Sequence, residues 1–412
     1  AAFGFGHRSA LWPRPATVAE LDAVSGGRPV VLISGDAHNG WLNSRALELL
    51  GLPPRTGVLE EKEWFDILPR LHELAGPGAD SQEEAFRDAA RKGVVGVVDM
   101  EFGGPFLSWP ERMAAGEHRL KVRAATYASH LDRAIELGLR TGSALDESGL
   151  ATMGPLKIIS DGSLNTRTAY CAEPYADAGG LAHPRGVLNN SPEELAELLA
   201  RAAAAGLEVA VHAIGDAAIT NAIDAMVATG ARGSIEHAQL LARTDIPRLA
   251  AHGIVASMQP AHLLDDRDVT AACWPDRADR CFMTRSLVEA GVTVALGSDA
   301  PVSPLDPWLE MAAAVFRSAD ERDAWNPAEA LTPAQALACS TDGRGTVRVG
   351  VPADLAVVDA DPTTAGDGVR ATAGDRAADR GSPGDPRAAA TALRKMRVAL
   401  TVVAGRVTHV DL

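Results

Sequence analysis

Short apolar runs rich in β-branched residues recur along the chain from about residue 93. Each run ends in polar residues and is followed by a stretch of helical periodicity and then by glycine. Because the runs are continuously apolar rather than alternating, they are typical of strands covered on both faces, as in parallel sheets. The pattern predicts seven strands, within residues 93–101, 121–128, 156–162, 208–216, 233–239, 254–260 and 292–299.

The stretches between these runs carry recognisable helix boundaries. Ser191 is a suitable N-cap residue, and Glu194 follows it at the spacing of a capping box. Pro192 suits the first helical position, and Gly206 suits the residue that ends the helix. A second helix ends in the same way at Gly291. The chain is therefore predicted to alternate strands with helices.

Such alternation is compatible with a (β/α)8 barrel or with an open doubly wound sheet. We favour the barrel because polar residues end several different strands, as at the C-terminal mouth of barrels. An open sheet would concentrate such residues near one switch point. Seven strands are too few for closure, so the predicted fold class is α/β, a (β/α)8 TIM-type barrel whose first strand is missing.

Two smaller units flank the predicted barrel. Segments 29–52 and 57–68 are predicted as an αβ insertion or lid, and the β-rich segments 350–362 and 398–410 as part of a small C-terminal β-sandwich. The predicted domains are 1–92 for the incomplete N-terminal part with the insertion, 93–347 for the barrel, and 348–412 for the sandwich part. Residues from about 363 to 390 contain little apolar character and are predicted as a flexible loop.

Composition and charge narrow the class of partner. The formal net charge of −15 argues against binding to nucleic acid or to an anionic membrane surface. No apolar run approaches the roughly 20 residues that span a bilayer, and four scattered cysteines suggest neither a disulfide framework nor a zinc knuckle. We therefore expect a cytoplasmic protein that acts on a small molecule, with a homodimer as the candidate assembly.

Four predicted strands carry chemically useful residues near their C-terminal ends: Lys157, His212, His237 and Asp299. Imidazole and carboxylate groups suit zinc and similar divalent ions. A lysine ammonium cannot bind a metal, whereas a lysine carboxylated by CO2 presents a carboxylate that can bridge two ions. Taken together at one end of successive strands, the four residues favour a metal site.

Each residue also has a structural interpretation. A lone buried histidine is commonly a hydrogen-bonded core residue. Asp299 could cap the turn that follows it. Lys157 could be a buried lysine paired with Asp161 or Glu101.

An ordered set of motifs resembles the amidohydrolase superfamily, and in particular its amidohydrolase-3 branch, which includes N-substituted formamide deformylases. The resemblance extends from about residue 4 to the end of the chain. It rests on "DAHNGWLNSRALELLGL", "LKIISDGSLNTRTAYCAEPYAD", "VAVHAIGDAAITNAIDAM", "IEHAQ", "SMQPAHLLDD", "LGSDAPVSPLDPW" and "GVPADLAVVDADP".

The resemblance implies a metal-dependent hydrolase of amide, formamide or cyclic amide C–N bonds, with one or two divalent ions, zinc foremost. Lys157 would be the carboxylated lysine that bridges two ions, and His212 and His237 would be ligands. Asp299 would bind a metal and transfer a proton to and from the reacting water. The family also supports isomerase and deaminase chemistry, so the fold alone does not fix the reaction.

Six further residues are candidates for contacting the substrate or for orienting the ligands. His38 and Trp41 would line the pocket from the lid, or else pack inside it. His262 would face the barrel mouth, or lie on the surface. The others are Asp161 and Arg167, predicted to orient Lys157, and Arg317, predicted to hold a substrate anion or to lie in solvent.

The sequence departs from the family pattern in one respect. Members carry an H-x-H pair at the end of the first strand, and none of the 11 histidines here lies two residues from another. The first strand and half of the sandwich are absent as well, so we expect that the chain begins late relative to the family, folds poorly alone and retains little activity. The alternatives are an inactive scaffold and a mononuclear site of His212, His237 and Asp299.

Overall fold

A computed structural model describes most of the chain, and it contains three β-sheets. The described residues are 2–7, 11–68, 70–71, 79–343, 347–365 and 384–411. In the described residues, the sheets have four, seven and three strands, in chain order.

The first sheet forms the N-terminal unit together with three short helices. Its strands are β1 (Ala2–His7), β2 (Val30–Ser34), β3 (Asn39–Leu42) and β4 (Leu59–Glu60), and its helices are α1 (Val18–Ser25), α2 (Ser44–Leu49) and α3 (Glu61–Phe65). Strand β1 pairs in parallel with β2, and the remaining pairs are antiparallel. Trp64 is fully buried and its ring lies where a Cβ on Gly40 would be, so only glycine fits at that position. These elements occupy the residues that were predicted as an αβ insertion.

The central sheet contains seven parallel strands in the order β11-β10-β9-β8-β7-β6-β5. The strands are β5 (Gly96–Asp99), β6 (Lys121–Tyr127), β7 (Ala151–Ile159), β8 (Val209–Ala213), β9 (Gly233–His237), β10 (Val255–Met258) and β11 (Val294–Leu296). Each of the seven predicted runs contains one of these strands or overlaps it, which confirms the prediction of parallel strands.

Helices follow or precede these strands and cover the sheet. They are α4 (Ala79–Arg91), α5 (Pro105–Ala114), α6 (Ala128–Glu136), α7 (Pro192–Ala205), α8 (Asp216–Thr229), α9 (Ile246–His252), α10 (His262–Cys273), α11 (Thr284–Glu289), α12 (Pro307–Phe316) and α13 (Pro333–Cys339). Helix α7 begins at the predicted capping box, in which Ser191 accepts a hydrogen bond from the Glu194 amide, and it ends at Gly206 with a φ of 75°.

The seven strands form a curled half-barrel, in which β5 and β11 are the two outer strands of the described sheet. The start of helix α12 contacts the segment before β5, where the indole nitrogen of Trp308 donates a hydrogen bond to the Lys92 carbonyl, 3.0 Å away. The strands are apolar along their length because both faces are covered.

The C-terminal sheet is a three-stranded antiparallel sheet of β12 (Leu355–Val358), β13 (Val398–Val403) and β14 (Arg406–Val410). Helix α4 belongs with this sheet rather than with the N-terminal unit, since the Thr401 hydroxyl donates to the Ala90 carbonyl at 2.7 Å. This contact lies next to the predicted boundary at residue 92, which stays a prediction.

The predicted loop at 363–390 lies largely in residues 366–383, outside the described residues. The C-terminal end of the predicted loop is wrong, because helix α14 (Pro386–Arg394) begins before residue 390, with Asp385 as its N-cap.

Two general expectations can be compared with the described residues. All four cysteines are free thiols, as their scattered spacing predicted. Among the helices that the structure describes, none is both long enough and apolar enough to cross a bilayer.

Candidate metal centre and hydrolytic site

The carboxyl ends of the central strands meet below the N-terminal unit around a cavity of about 60 Å³. The cavity is lined from the sheet side by His237, His262 and Asp299, and from the insertion by Asp36 and His38. A volume of this size holds an ion with one or two waters, since a water takes about 30 Å³ of liquid. Parallel strands place their carboxyl ends at one edge, so the site occupies the usual location in such folds.

A wider open groove of about 750 Å³ lies between α4 and the C-terminal sheet. It is lined mainly by arginines and apolar residues, with one histidine and one aspartate. We therefore assign the chemistry to the smaller cavity, where histidines and carboxylates converge.

Three side chains in the smaller cavity are placed to hold a cation. His237, His262 and Asp299 each offer one ligand atom, and these atoms lie within 4.8 Å of one another. The Nε2 atom of His262 is buried and has no hydrogen-bond partner among the described residues, while the ring also bonds to the Ser298 backbone. A histidine that is fixed through one nitrogen and free at the other is the usual arrangement of a metal ligand. The residues therefore fit a divalent ion.

His212 was predicted as a ligand, and it lies beside this group rather than in it. Its ring centroid is 4.7 Å from that of His237. Its Nε2 atom, however, lies 3.2 Å from the Gly162 carbonyl and 3.5 Å from Asp161 Oδ1. Burial lowers the pKa of both His212 and His237 well below the ordinary value, with nearby positive charges adding to the effect. Both rings are thus neutral near pH 7, the form that binds metals.

Lys157 lies in strand β7 and is 8% exposed. Burial lowers its pKa, and the carboxylates of Glu236 and Asp299 partly oppose that effect. Among the residues that the structure describes, the side chain of Lys157 forms no hydrogen bond or ion pair. Such an amine has an increased uncharged fraction, which is the nucleophilic form.

The backbone at the site is strained at three non-glycine residues. His237, Ala238 and Asp299 have φ values of 71°, 42° and 53°, in the left-handed region. Such conformations cost free energy and cluster at functional sites. Here they occur at the ends of strands β9 and β11, where the candidate ligands lie.

Comparison with known proteins identifies the origin of this arrangement. The sequence model of the amidohydrolase family Amidohydro_3 matches residues 1–409. This chain belongs to the amidohydrolase family.

Individual relatives agree with this assignment. The protein YtcJ of Bacillus subtilis, which is named as an amidohydrolase, is 28% identical to this chain over 392 residues. The alignment covers 85% of this chain and 72% of YtcJ. The chain is 25% identical to the N-substituted formamide deformylase of Arthrobacter pascens over 407 residues, covering 85% of this chain and 72% of that enzyme. The crystal structure of an uncharacterized metal-dependent hydrolase from Pyrococcus horikoshii matches with a TM-score of 0.65 and 27% identity, covering 83% of this chain and 71% of that chain. Members of the family are metal-dependent hydrolases, which agrees with the group of ligands in the cavity.

Asp161 has a different role in the amidohydrolase from the one predicted. Its carboxylate accepts hydrogen bonds from the backbone amides of Tyr170, Ile214 and Gly215, at 2.8, 3.1 and 2.9 Å. Burial outweighs these bonds and raises its pKa to about 7. The alternative in which Lys157 pairs with Asp161 gains no support, because backbone amides and His212 surround this carboxylate.

Two other residues that were predicted beside Lys157 have surroundings of their own. Glu101 is exposed, and its charge is not among those that shift the pKa of the lysine. Arg167 forms an ion pair with Asp177 at 2.7 Å, and its role in orienting Lys157 stays a prediction.

The insertion contributes His38 to the lining of the cavity. Its Nδ1 atom lies 3.0 Å from Glu61 Oε2, and its ring centroid is 5.6 Å from that of His212. Burial alone would lower the pKa of His38, but the charge and hydrogen bond of Glu61 raise it to about 9. Burial likewise opposes ionisation of Glu61, yet His38 and two threonine hydroxyls lower its pKa to about 2. The two side chains therefore form an ion pair at neutral pH.

Glu61 also fixes the insertion to the barrel. Its Oε1 atom accepts hydrogen bonds at 2.7 Å from the hydroxyls of Thr166 and Thr168, in the segment after β7. A second contact joins the Ser163 hydroxyl to Asp36 at 2.7 Å. Sequence reasoning missed both carboxylates, since nothing in the local pattern separates Glu61 from its neighbour Glu60.

Trp41 and Arg317 lie outside the set of residues that line the cavity. The Trp41 indole donates to the Thr17 carbonyl at 2.9 Å, within the N-terminal unit. Arg317 is fully buried, and its Nε donates to the Trp325 carbonyl at 2.8 Å. Both contacts indicate packing roles, so the geometry gives no support to the substrate contacts predicted for these residues.

Proposed function

We propose that this amidohydrolase cleaves a C–N bond of a small molecule, an amide, formamide or cyclic amide, with the help of a bound divalent ion, zinc foremost. The observation that carries the metal requirement is the His237–His262–Asp299 group, in which a buried imidazole nitrogen has no partner. Similarity to an N-substituted formamide deformylase supports the choice of bond. The bound ion would polarise the substrate carbonyl and make water a better nucleophile near pH 7.

Asp299 is the proposed general base and acid. Its carboxylate is exposed to the cavity, so one oxygen can accept the proton of the attacking water and return it to the leaving nitrogen. The left-handed backbone at Asp299 holds the carboxylate against His237 and His262.

His38 is the proposed substrate-binding residue from the insertion. The ion pair with Glu61 fixes one ring nitrogen, which leaves the other to donate a hydrogen bond into the cavity that the ring lines. A charge-assisted donor suits a carbonyl oxygen on which negative charge develops.

Lys157 and His212 would extend the centre to a second ion. The amine of Lys157 would react with CO2 to form a carbamate, with release of a proton, and the resulting carboxylate would then bind metal. Its depressed pKa and its lack of a partner among the described residues support this proposal. Lys157→Ala is expected to lower the metal content, and a short carboxylic acid is expected to restore it. Unchanged metal content in the variant would exclude the role.

The curled sheet also supports a proposal about the fold. We infer that the seven strands are part of a (β/α)8 barrel and that the C-terminal sheet is one layer of a small β-sandwich. The match to the Pyrococcus horikoshii hydrolase supports this inference.

The decisive experiment measures metal content and hydrolysis together. Purified protein would be analysed for bound metals, stripped with a chelator, reloaded with Zn²⁺ or Co²⁺, and tested on N-substituted formamides, N-acyl amines and cyclic amides. Turnover that disappears on stripping and returns on reloading supports the proposal. A folded chain that binds no metal and hydrolyses none of these compounds would instead be a scaffold.

A further inference from the structure

Glu310 is a buried carboxyl group that the proposed reaction does not use. It lies on helix α12, is 2% exposed, and its Oε2 atom accepts a hydrogen bond from the Ala261 amide at 2.9 Å. Among the described residues, its buried Oε1 atom has no hydrogen-bond partner. Within the described part of the chain, no cationic side chain forms an ion pair with Glu310.

The position of this carboxyl group relates it to two of the candidate ligands. Ala261 immediately precedes helix α10, whose first residue is His262. Helix α12 follows the segment that begins with Asp299. Strands β10 and β11 are neighbours, so the Glu310–Ala261 bond joins the segments that follow two adjacent strands. Those segments carry His262 and Asp299.

Stability does not explain a carboxyl group at this place. Burying a carboxyl without a charge partner is unfavourable, and an apolar side chain of similar size would avoid the cost. Burial raises the pKa of Glu310 to about 8, which shows how poorly the site solvates the charged form. One amide bond at a helix start compensates only partly. The residue is therefore better explained by what it holds in place.

We propose that Glu310 is a positioning residue that fixes the start of helix α10, and with it His262, for metal binding. The inference rests on the proposed metal site. His262 needs such support because its Nε2 atom has no hydrogen-bond partner among the described residues that would direct it towards His237 and Asp299. Supporting residues of this kind contribute about 10–100-fold to metal affinity.

The test compares Co²⁺ binding by the full chain with binding by Glu310 variants. Binding is measured by titration and by the visible absorption spectrum of the bound ion. Glu310→Met keeps the volume but removes the acceptor, and is expected to weaken Co²⁺ binding by about 10–100-fold and to alter the spectrum. Glu310→Gln keeps an acceptor for the Ala261 amide and is expected to bind Co²⁺ like the original protein. If Glu310→Met does not fold, Glu310→Asp provides the same test, because its side chain is one methylene shorter and moves the carboxyl away from the Ala261 amide.

Glu329 provides a matched control. It is also a buried carboxylate at a helix start, and it accepts bonds from the Ser286 amide at 2.9 Å and hydroxyl at 2.6 Å. Helix α11, to which Ser286 belongs, carries no candidate ligand. Glu329→Met is therefore expected to lower stability and leave Co²⁺ affinity and spectrum unchanged.

Three results would overturn the inference. Unchanged affinity and spectrum in Glu310→Met, or equal weakening in Glu329→Met, would show that Glu310 has only a structural role while the metal site stands. An original chain that binds no Co²⁺ would refute the metal site and the inference together.

Discussion

Four imidazole rings form a row through the site, from the insertion to helix α10. Successive ring centroids, from His38 through His212 and His237 to His262, are 5.6, 4.7 and 6.0 Å apart. The three rings on the barrel side have lowered pKa values because they are buried, whereas Glu61 keeps His38 protonated. The row thus joins neutral rings suited to a metal with one cationic ring suited to a substrate oxygen.

Removal of a ligand tests the metal group directly. His262→Ala and His237→Ala are each expected to lower Zn²⁺ affinity by at least about 100-fold, the upper end of what supporting residues contribute. His252→Ala, at an exposed position, serves as the control. Affinities would be measured by competition with a chromogenic chelator. If His262→Ala retained full affinity while His212→Ala lost it, the ligand set predicted from the sequence would be correct instead.

Substitution in the ion pair tests the role of His38. His38→Gln and Glu61→Gln are expected to lower kcat/KM by about 10–100-fold, the value of a charge-assisted hydrogen bond. Their metal content should not change, because neither belongs to the metal group. Glu63→Gln is the matched control for Glu61, since it lies on the same helix with a side chain 58% exposed. Wild-type kinetics in both test variants would exclude a substrate contact.

At the scale of elements, one glycine allows the insertion to dock on the barrel. A Cβ on Gly162 would overlap the Thr168 side chain and lie 2.9 Å from Glu61 Oε1. The bond between Glu61 and Thr168 therefore depends on the absence of a side chain at residue 162.

Gly162→Ala is expected to loosen the insertion, at a cost of about 1–3 kcal/mol for the overpacked contact. Hydrogen exchange of residues 30–68 should rise, and kcat/KM should fall. Gly179→Ala is the control, because a Cβ there meets no atom within 4 Å. The docking role would be wrong if exchange in the insertion stayed the same in Gly162→Ala.

The elements differ in how far local sequence determined them. Capping residues and apolar runs located helix α7 and the seven strands because these signals act between residues close in sequence. The packing of helix α4 could not be predicted in this way, because its partner is a strand some 300 residues later, as the contact between Ala90 and Thr401 shows. No local pattern encodes such a contact.

At the scale of the whole molecule, Glu310 makes the free energy of unfolding depend on pH. Burial raises its pKa from the ordinary 4.5 to about 8 in the folded protein. Between these values the unfolded carboxyl is ionised while the folded one stays protonated, so the folded state binds the extra proton. Its contribution to stability is therefore complete below about pH 4.5 and is lost as the pH rises towards 8, at up to about 1.4 kcal/mol per pH unit.

Glu310→Gln removes this titration. Near pH 4.5 the variant and the original protein should have the same thermal unfolding midpoint. As the pH rises towards 8, the variant should become progressively more stable than the original protein. Thermal unfolding at several pH values checks the difference, with Glu329→Gln as a second buried carboxyl. A constant offset between the two proteins across this range would contradict the raised pKa.

Sequence alone determined the strand–helix alternation, the seven parallel strands and the family, because apolar periodicity, caps and ordered motifs are local. It also placed Lys157, His212, His237 and Asp299 near strand ends. The tertiary structure decided which of them meet: His262 joins His237 and Asp299, while His212 faces Gly162 and Asp161. It alone revealed Glu61 and Glu310, since a carboxylate gains its role from partners that only packing brings together.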